Sequence, residues 1–121
     1  MRRYAVAVPF AVLLGFGFVP AQEPTCLHGA SETATQAARR RAAIAFARLI
    51  NTTENTAHGQ AQAYYALGDL HTIPQPPEGF KAQLSSDGTS YTFSLKDTLD
   101  PCQFAFFSDQ EGMIYSATPI R

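Results

Sequence analysis

The run TATQAARRRAAIAFARLINTTENTAHG, residues 33–59, decides the fold class of this chain. It is rich in alanine, holds no proline, and repeats Ala43, Phe46, Ile50, Thr53 and Ala57 at helical spacing, with Ala47 and Leu49 widening the stripe. On that register Arg39, Arg40, Arg41 and Arg48 are expected mostly off the apolar face, as a solvated flank. Just upstream, Ser31-Glu32-Thr33-Ala34 offers a hydroxyl to the free N–H groups of the first turn, with an acid at the positive end. Gly59 is the expected stop, followed by a second short helical piece through Ala61 to Leu67. Small residues dominate the stripe, so whatever packs on it must approach closely, and a sheet fits.

Downstream the period changes. Pro74, Pro76 and Pro77 interrupt any helix, and Gly79 follows. Phe80, Ala82 and Leu84 then alternate, Asp87-Gly88 supplies a turn, and Tyr91, Phe93 and Leu95 alternate again. Asp100-Pro101 breaks the chain before a third strand, Gln103 to Phe107, and Asp109 to Gly112 turns into a fourth, Met113 to Ala117. Phe104, Phe106, Phe107 and Tyr115 read as core and cross-strand packing. One long helix followed by about four antiparallel strands is an α+β domain with the helix laid on one sheet face.

The first 21 residues differ in character. Arg2 and Arg3 precede an uncharged run from Tyr4 to Val19, and Val19-Pro20-Ala21 closes it, the layout of a secretory signal peptide. The run is shorter than the roughly 20 residues that cross a bilayer, and Pro9, Gly15 and Gly17 weaken it as a permanent helix. The expected organisation is a signal peptide at 1–21, a short segment at 22–30 and one domain at 31–121. That places the product in the periplasm or outside the cell, or anchored to the membrane if the signal is retained. Export favours oxidation, so Cys26 and Cys102, the only two cysteines, are expected to form a structural disulfide.

Composition narrows the function classes. The net charge of -1 argues against a basic nucleic-acid face, and 16% charged residues is too few for a disordered charged tail. No cofactor is expected, since there is no glycine-rich phosphate loop. A Gly-x-Ser-x-Gly elbow is also lacking, so no catalytic residue is expected and the chain reads as non-enzymatic. His28, His58 and His71 lack a second ligand at metal spacing. His58 lies one helical turn after Glu54, a pair expected at the surface. The turn acids Asp97, Asp100, Asp109 and Glu111 give an alternative reading, an exported calcium- or small-ligand-binding module. A calcium site needs 6–8 oxygens, however, and solvated turn residues are the plainer account. Asn51-Thr52-Thr53 matches a glycosylation acceptor, but its mid-helix position makes the match incidental.

Several stretches also carry a family resemblance. Arg48-Leu49-Ile50-Asn51-Thr52-Thr53-Glu54 resembles the LRTINTAE segment of type IV pilin-like proteins and pseudopilins, particularly those of acidobacterial type. Phe106-Phe107-Ser108-Asp109-Gln110-Glu111-Gly112-Met113-Ile114 resembles their FFSDQSGVIR hairpin, and Tyr64 to Leu70 is similar to their Y-x-x-L-x-x-L piece. Pro77 to Leu95 is similar to their strand pair, and the likeness runs in order over residues 36–117. The resemblance implies a pilin head and a subunit that works by assembly or protein binding in a type IV pilus or type II secretion system. This chain departs from the family at its N-terminus. The apolar helix with its glutamate, which follows a prepilin cleavage site, is missing, and Pro20 and Pro24 break continuity from leader to head. The calcium ligands of type II pseudopilins find no residue-by-residue match. The resemblance therefore implies a free, exported head with no stable membrane insertion once the signal is removed.

Overall fold

The computed structural model describes residues 32–100 and 104–118, together with Gly15 and Gly17. The leader at 1–21, the segment at 22–30, Ser31, and the expected Cys26–Cys102 pair lie outside the described residues. Helix α1 spans Ala34–Ala61, a 3-10 turn covers Leu67–Asp69, and four strands follow: β1 Phe80–Ser86, β2 Tyr91–Asp97, β3 Ala105–Asp109 and β4 Tyr115–Ala117. The strands form one antiparallel sheet in the order β1-β2-β3-β4, each pairing with its neighbour in sequence. The described residues thus form an α+β fold, one helix on a four-stranded antiparallel sheet.

Local chemistry accounts for the boundaries. Thr33 caps α1: its hydroxyl accepts the Gln36 backbone N–H at 3.1 Å, and the Gln36 side-chain Oε1 accepts the Thr33 N–H at 2.9 Å. This reciprocal box satisfies two otherwise unpaired donors. The helix runs past Gly59 and ends at Gln62, which takes a left-handed conformation at φ 56°. The short helical piece expected at 61–67 forms later, as the 3-10 turn at Leu67–Asp69. In the β1–β2 turn, one Asp87 carboxylate oxygen accepts from the Thr89 and Ser90 N–H groups, and Gly88 supplies φ 90°.

The core lies between α1 and the inner sheet face. Ala43, Phe46, Ala47 and Ile50 are buried on the helix, against Phe80, Leu84, Tyr91, Phe93, Leu95, Phe104 and Phe106. Ala43, Ala47, Ile50 and Leu95 are fully inaccessible. The alanines let the helix axis approach the sheet, so the aromatic rings of the strands fill the layer. The register puts Ala82, Leu95, Phe106 and Ser116 in one inward row and Leu84, Phe93 and Ser108 in the next.

Three expectations change. Leu49, counted in the stripe, is 39% exposed, while Glu54 is fully buried, so the stripe rotates toward Glu54. Phe107 and Tyr115, expected in the core, are 44% and 51% exposed. Both point from the outer sheet face, where no helix packs among the described residues. Finally, Arg39 stands one turn before Ala43 on the buried stripe and does not belong to the solvated flank.

Candidate functional site

Three clusters of polar or exposed side chains arise from this packing, two within the helix–sheet layer and one on the open face.

At the N-terminal end of the buried stripe, Arg39 reaches Asp97 at the end of β2. Its Nη1 donates to Oδ2 at 2.7 Å and its Nη2 to Oδ1 at 2.8 Å, a two-pronged pair. The Asp97 side chain is fully buried, and its Oδ1 also accepts the Leu99 and Asp100 N–H groups. Burial pushes the Asp97 carboxyl up, but the Arg39 fork and those backbone donors outweigh it and hold the group below its ordinary value. The guanidinium carbon also sits 4.9 Å from the centre of the Phe80 ring. Arg40 instead pairs with Glu32 at 2.9 Å.

Near the other end of the stripe, Asn51 on α1 ties together β2, β3 and the turn that follows β3. Its Nδ2 donates to Ser108 Oγ at 2.8 Å and to the Gly112 carbonyl at 3.2 Å, and its Oδ1 accepts the Tyr91 hydroxyl at 2.7 Å. Ser108 in turn donates to the Met113 carbonyl at 2.7 Å. The amide flagged as an incidental glycosylation acceptor is therefore a structural node. One turn on, Glu54 Oε2 accepts the Tyr65 N–H at 2.9 Å, while among the described residues Oε1 has no hydrogen-bond partner. Burial pushes this carboxyl above its ordinary value, with the Tyr65 N–H opposing in part. His58 does not meet Glu54 at the surface. It stacks on Tyr64, with ring centres 4.3 Å apart, and Tyr64 meets Tyr91 edge-on.

These positions bear on the four turn acids. Asp97 is occupied by Arg39, and Asp100, itself buried, donates its N–H to Asp97. Asp109 lies opposite Thr92 at the far end of β2, where its Oδ1 accepts the Glu111 N–H. The Asp97–Asp100 and Asp109–Glu111 pairs therefore stand at opposite ends of a seven-residue strand, about 17 Å apart. They do not share a coordination sphere, and among the described residues no three His, Cys, Asp or Glu side chains gather as ligands.

A groove of about 450 Å³ runs between the C-terminal half of α1 and the segment from Tyr65 to Thr72. Its walls carry threonine hydroxyls, Asp69 and His71, yet among the described residues no hydrogen bond links those hydroxyls to His71 or His71 to Asp69.

The outer sheet face is different in kind. Its rows follow from the register: Lys81, Lys96, Ala105 and Ala117 form one, and Gln83, Ser94, Phe107 and Tyr115 the next. Lys81 and Lys96 are directly opposed and exposed, although like charges facing across strands are unfavourable. Among the described residues neither has a carboxylate partner. A depression of about 360 Å³ lies at this pair, bordered by Gln83, Thr98 and Asp97, whose carboxylate is held by Arg39. Two strands away, Phe107 and Tyr115 face each other, with Met113, 53% exposed, beside them and the Tyr115 hydroxyl 3.9 Å from its sulfur. β4 is exposed along its whole length and among the described residues its outer edge pairs with no further strand. Sequence reading missed this face because alternation tells which residues share a side, and not which side the helix will cover.

Among the described residues no helix is long and apolar enough to cross a membrane. No protein-family model, no curated protein and no solved structure matches this chain.

Proposed function

We propose that this chain is an exported, non-enzymatic pilin-like domain with a structural or protein-binding role, an accessory of a type IV pilus or type II secretion apparatus. It acts in the periplasm or outside the cell, and its chemistry is surface recognition. The observation that carries this reading is the meeting of the two stretches on which the pilin resemblance rests. The RLINTTE stretch of α1 and the FFSDQEGMI hairpin are joined by Asn51 to Ser108 and Gly112. Residues that resemble one family in two separate stretches, and then bond to one another, are what a shared head architecture requires. The open outer face, with Phe107, Met113 and Tyr115 uncovered, is the surface such a role would use.

The test is made in the native host. N-terminal sequencing of the protein from the envelope fraction should begin at or near Gln22. A photoreactive side chain at Tyr115 should cross-link to a pilus or secretion component, whereas one at Gln60 should not. Cytoplasmic protein with an intact Met1, or the absence of any Tyr115 adduct, would overturn the reading.

A further inference from the structure

Resting on that protein-binding reading, we propose that the outer sheet face receives an acidic, extended protein segment. One carboxylate of the segment sits between Lys81 and Lys96, and an apolar side chain further along rests on Phe107 and Tyr115. Two observations carry this. Lys81 and Lys96 are held side by side with no carboxylate partner among the described residues, a local charge that an incoming acid would neutralise. The aromatic pair lies one row over and two strands away, roughly 12 Å by strand and residue spacing. An extended segment covers that span in three to four residues at about 3.3 Å each, so an acid and an apolar residue at that interval reach both places.

The geometry disfavours the other occupants. Among the described residues the outer rows hold a single carboxylate, Asp109, at the corner away from the lysines. Asp97, which borders the lysine depression, has its carboxylate taken by Arg39, so a second copy supplies little complement. Two lysines are also fewer than the four to eight basic residues that typically hold a protein on anionic lipid.

The test titrates the ¹⁵N-labelled full chain with an acetylated serine–threonine peptide amide carrying one glutamate and, four positions on, one phenylalanine. A control peptide has lysine in place of that glutamate. Saturable amide shifts should appear along the rows containing Lys81, Lys96, Phe107 and Tyr115. In about 50 mM salt the acidic peptide should bind about tenfold more tightly than its control, and the difference should shrink in about 0.5 M salt. The double variant Lys81→Glu/Lys96→Glu should reverse the preference. Both side chains are exposed, and an unchanged melting midpoint verifies the fold. Equal affinity for the two peptides, shifts confined to another face, dilution-dependent shifts marking self-association, or binding to phosphatidylglycerol vesicles in place of the peptide would each overturn the proposal. A Tyr115 cross-link in the host that survives the charge reversal would sink this partner chemistry while leaving the protein-binding reading intact.

Discussion

Arg39 and Asp97, 58 positions apart in the chain, meet in a two-pronged ion pair at one end of the helix–sheet interface. At the other end Asn51 receives the Tyr91 hydroxyl. From Arg39 to Asn51 the helix rises about 18 Å, and from Tyr91 to Asp97 the strand covers about 20 Å. The two polar ties therefore match in length and fix how α1, running opposite to β2, is seated along the sheet. Between them the contacts are apolar.

Removing one partner of the ion pair leaves a buried charge. Arg39→Met should destabilise the domain by about 2–4 kcal/mol in urea denaturation, somewhat below the range for a fully buried pair because Arg39 is partly exposed. Adding Asp97→Leu should recover only part of this. The Leu99 and Asp100 N–H groups lose their acceptor at the same time. Full recovery in the double variant would show that the turn does not depend on Asp97.

The Asn51 node predicts a graded series. Asn51→Ala abandons the Tyr91 hydroxyl and Ser108 together and should cost about 2–3 kcal/mol, whereas Tyr91→Phe removes one bond and should cost about 1 kcal/mol. Tyr91→Phe made in the Asn51→Ala background should then cost almost nothing, as a double-mutant cycle would measure.

Stability against pH has two limbs of opposite sign. Glu54 has its carboxyl raised in the fold, so its contribution is complete below the ordinary value of 4.5 and is lost as pH climbs through the higher folded value. Asp97 is lowered, and Asp87 is lowered to about 2 by the Ser90 and Thr89 hydrogen bonds. Their contributions are present above the ordinary 3.8 and lost as pH falls through the lower folded values. Glu54→Gln mimics the neutral acid and should raise the melting midpoint at neutral pH by a few degrees (about 2–6 °C) while leaving the acid limb unchanged. An unchanged slope above pH 5 in that variant would remove Glu54 from this account.

Two glycines should respond in opposite ways. Gly79 has φ 79°, and an added Cβ would stand 2.8 Å from Arg39 Nη2 and closer still to the Leu99 side chain, so Gly79→Ala should destabilise by about 1–3 kcal/mol. Gly59 lies inside α1 with open space at its Cβ position, so Gly59→Ala should stabilise by roughly 0.5–1 kcal/mol. Chemical denaturation of both variants checks the pair.

The chain alone determined the α+β class, the helix over the alanine-rich run, the β1–β2 hairpin at Asp87-Gly88 and the alternation that assigns Phe93, Leu95 and Phe106 to one face. These follow from 3.6- and 2-residue periods and from turn chemistry, which act over a few neighbouring residues. Tertiary structure alone decided that Arg39 enters the core margin, that Glu54 is buried while Leu49 is exposed, and that Phe107 and Tyr115 face outward. An arginine triplet looks solvated until a buried carboxylate 58 positions away claims one member of it. An aromatic pair on a strand likewise looks like core until α1 packs on the opposite face of the sheet. Local sequence fixes the phase of each element, but which phase is buried depends on what arrives from elsewhere in the chain.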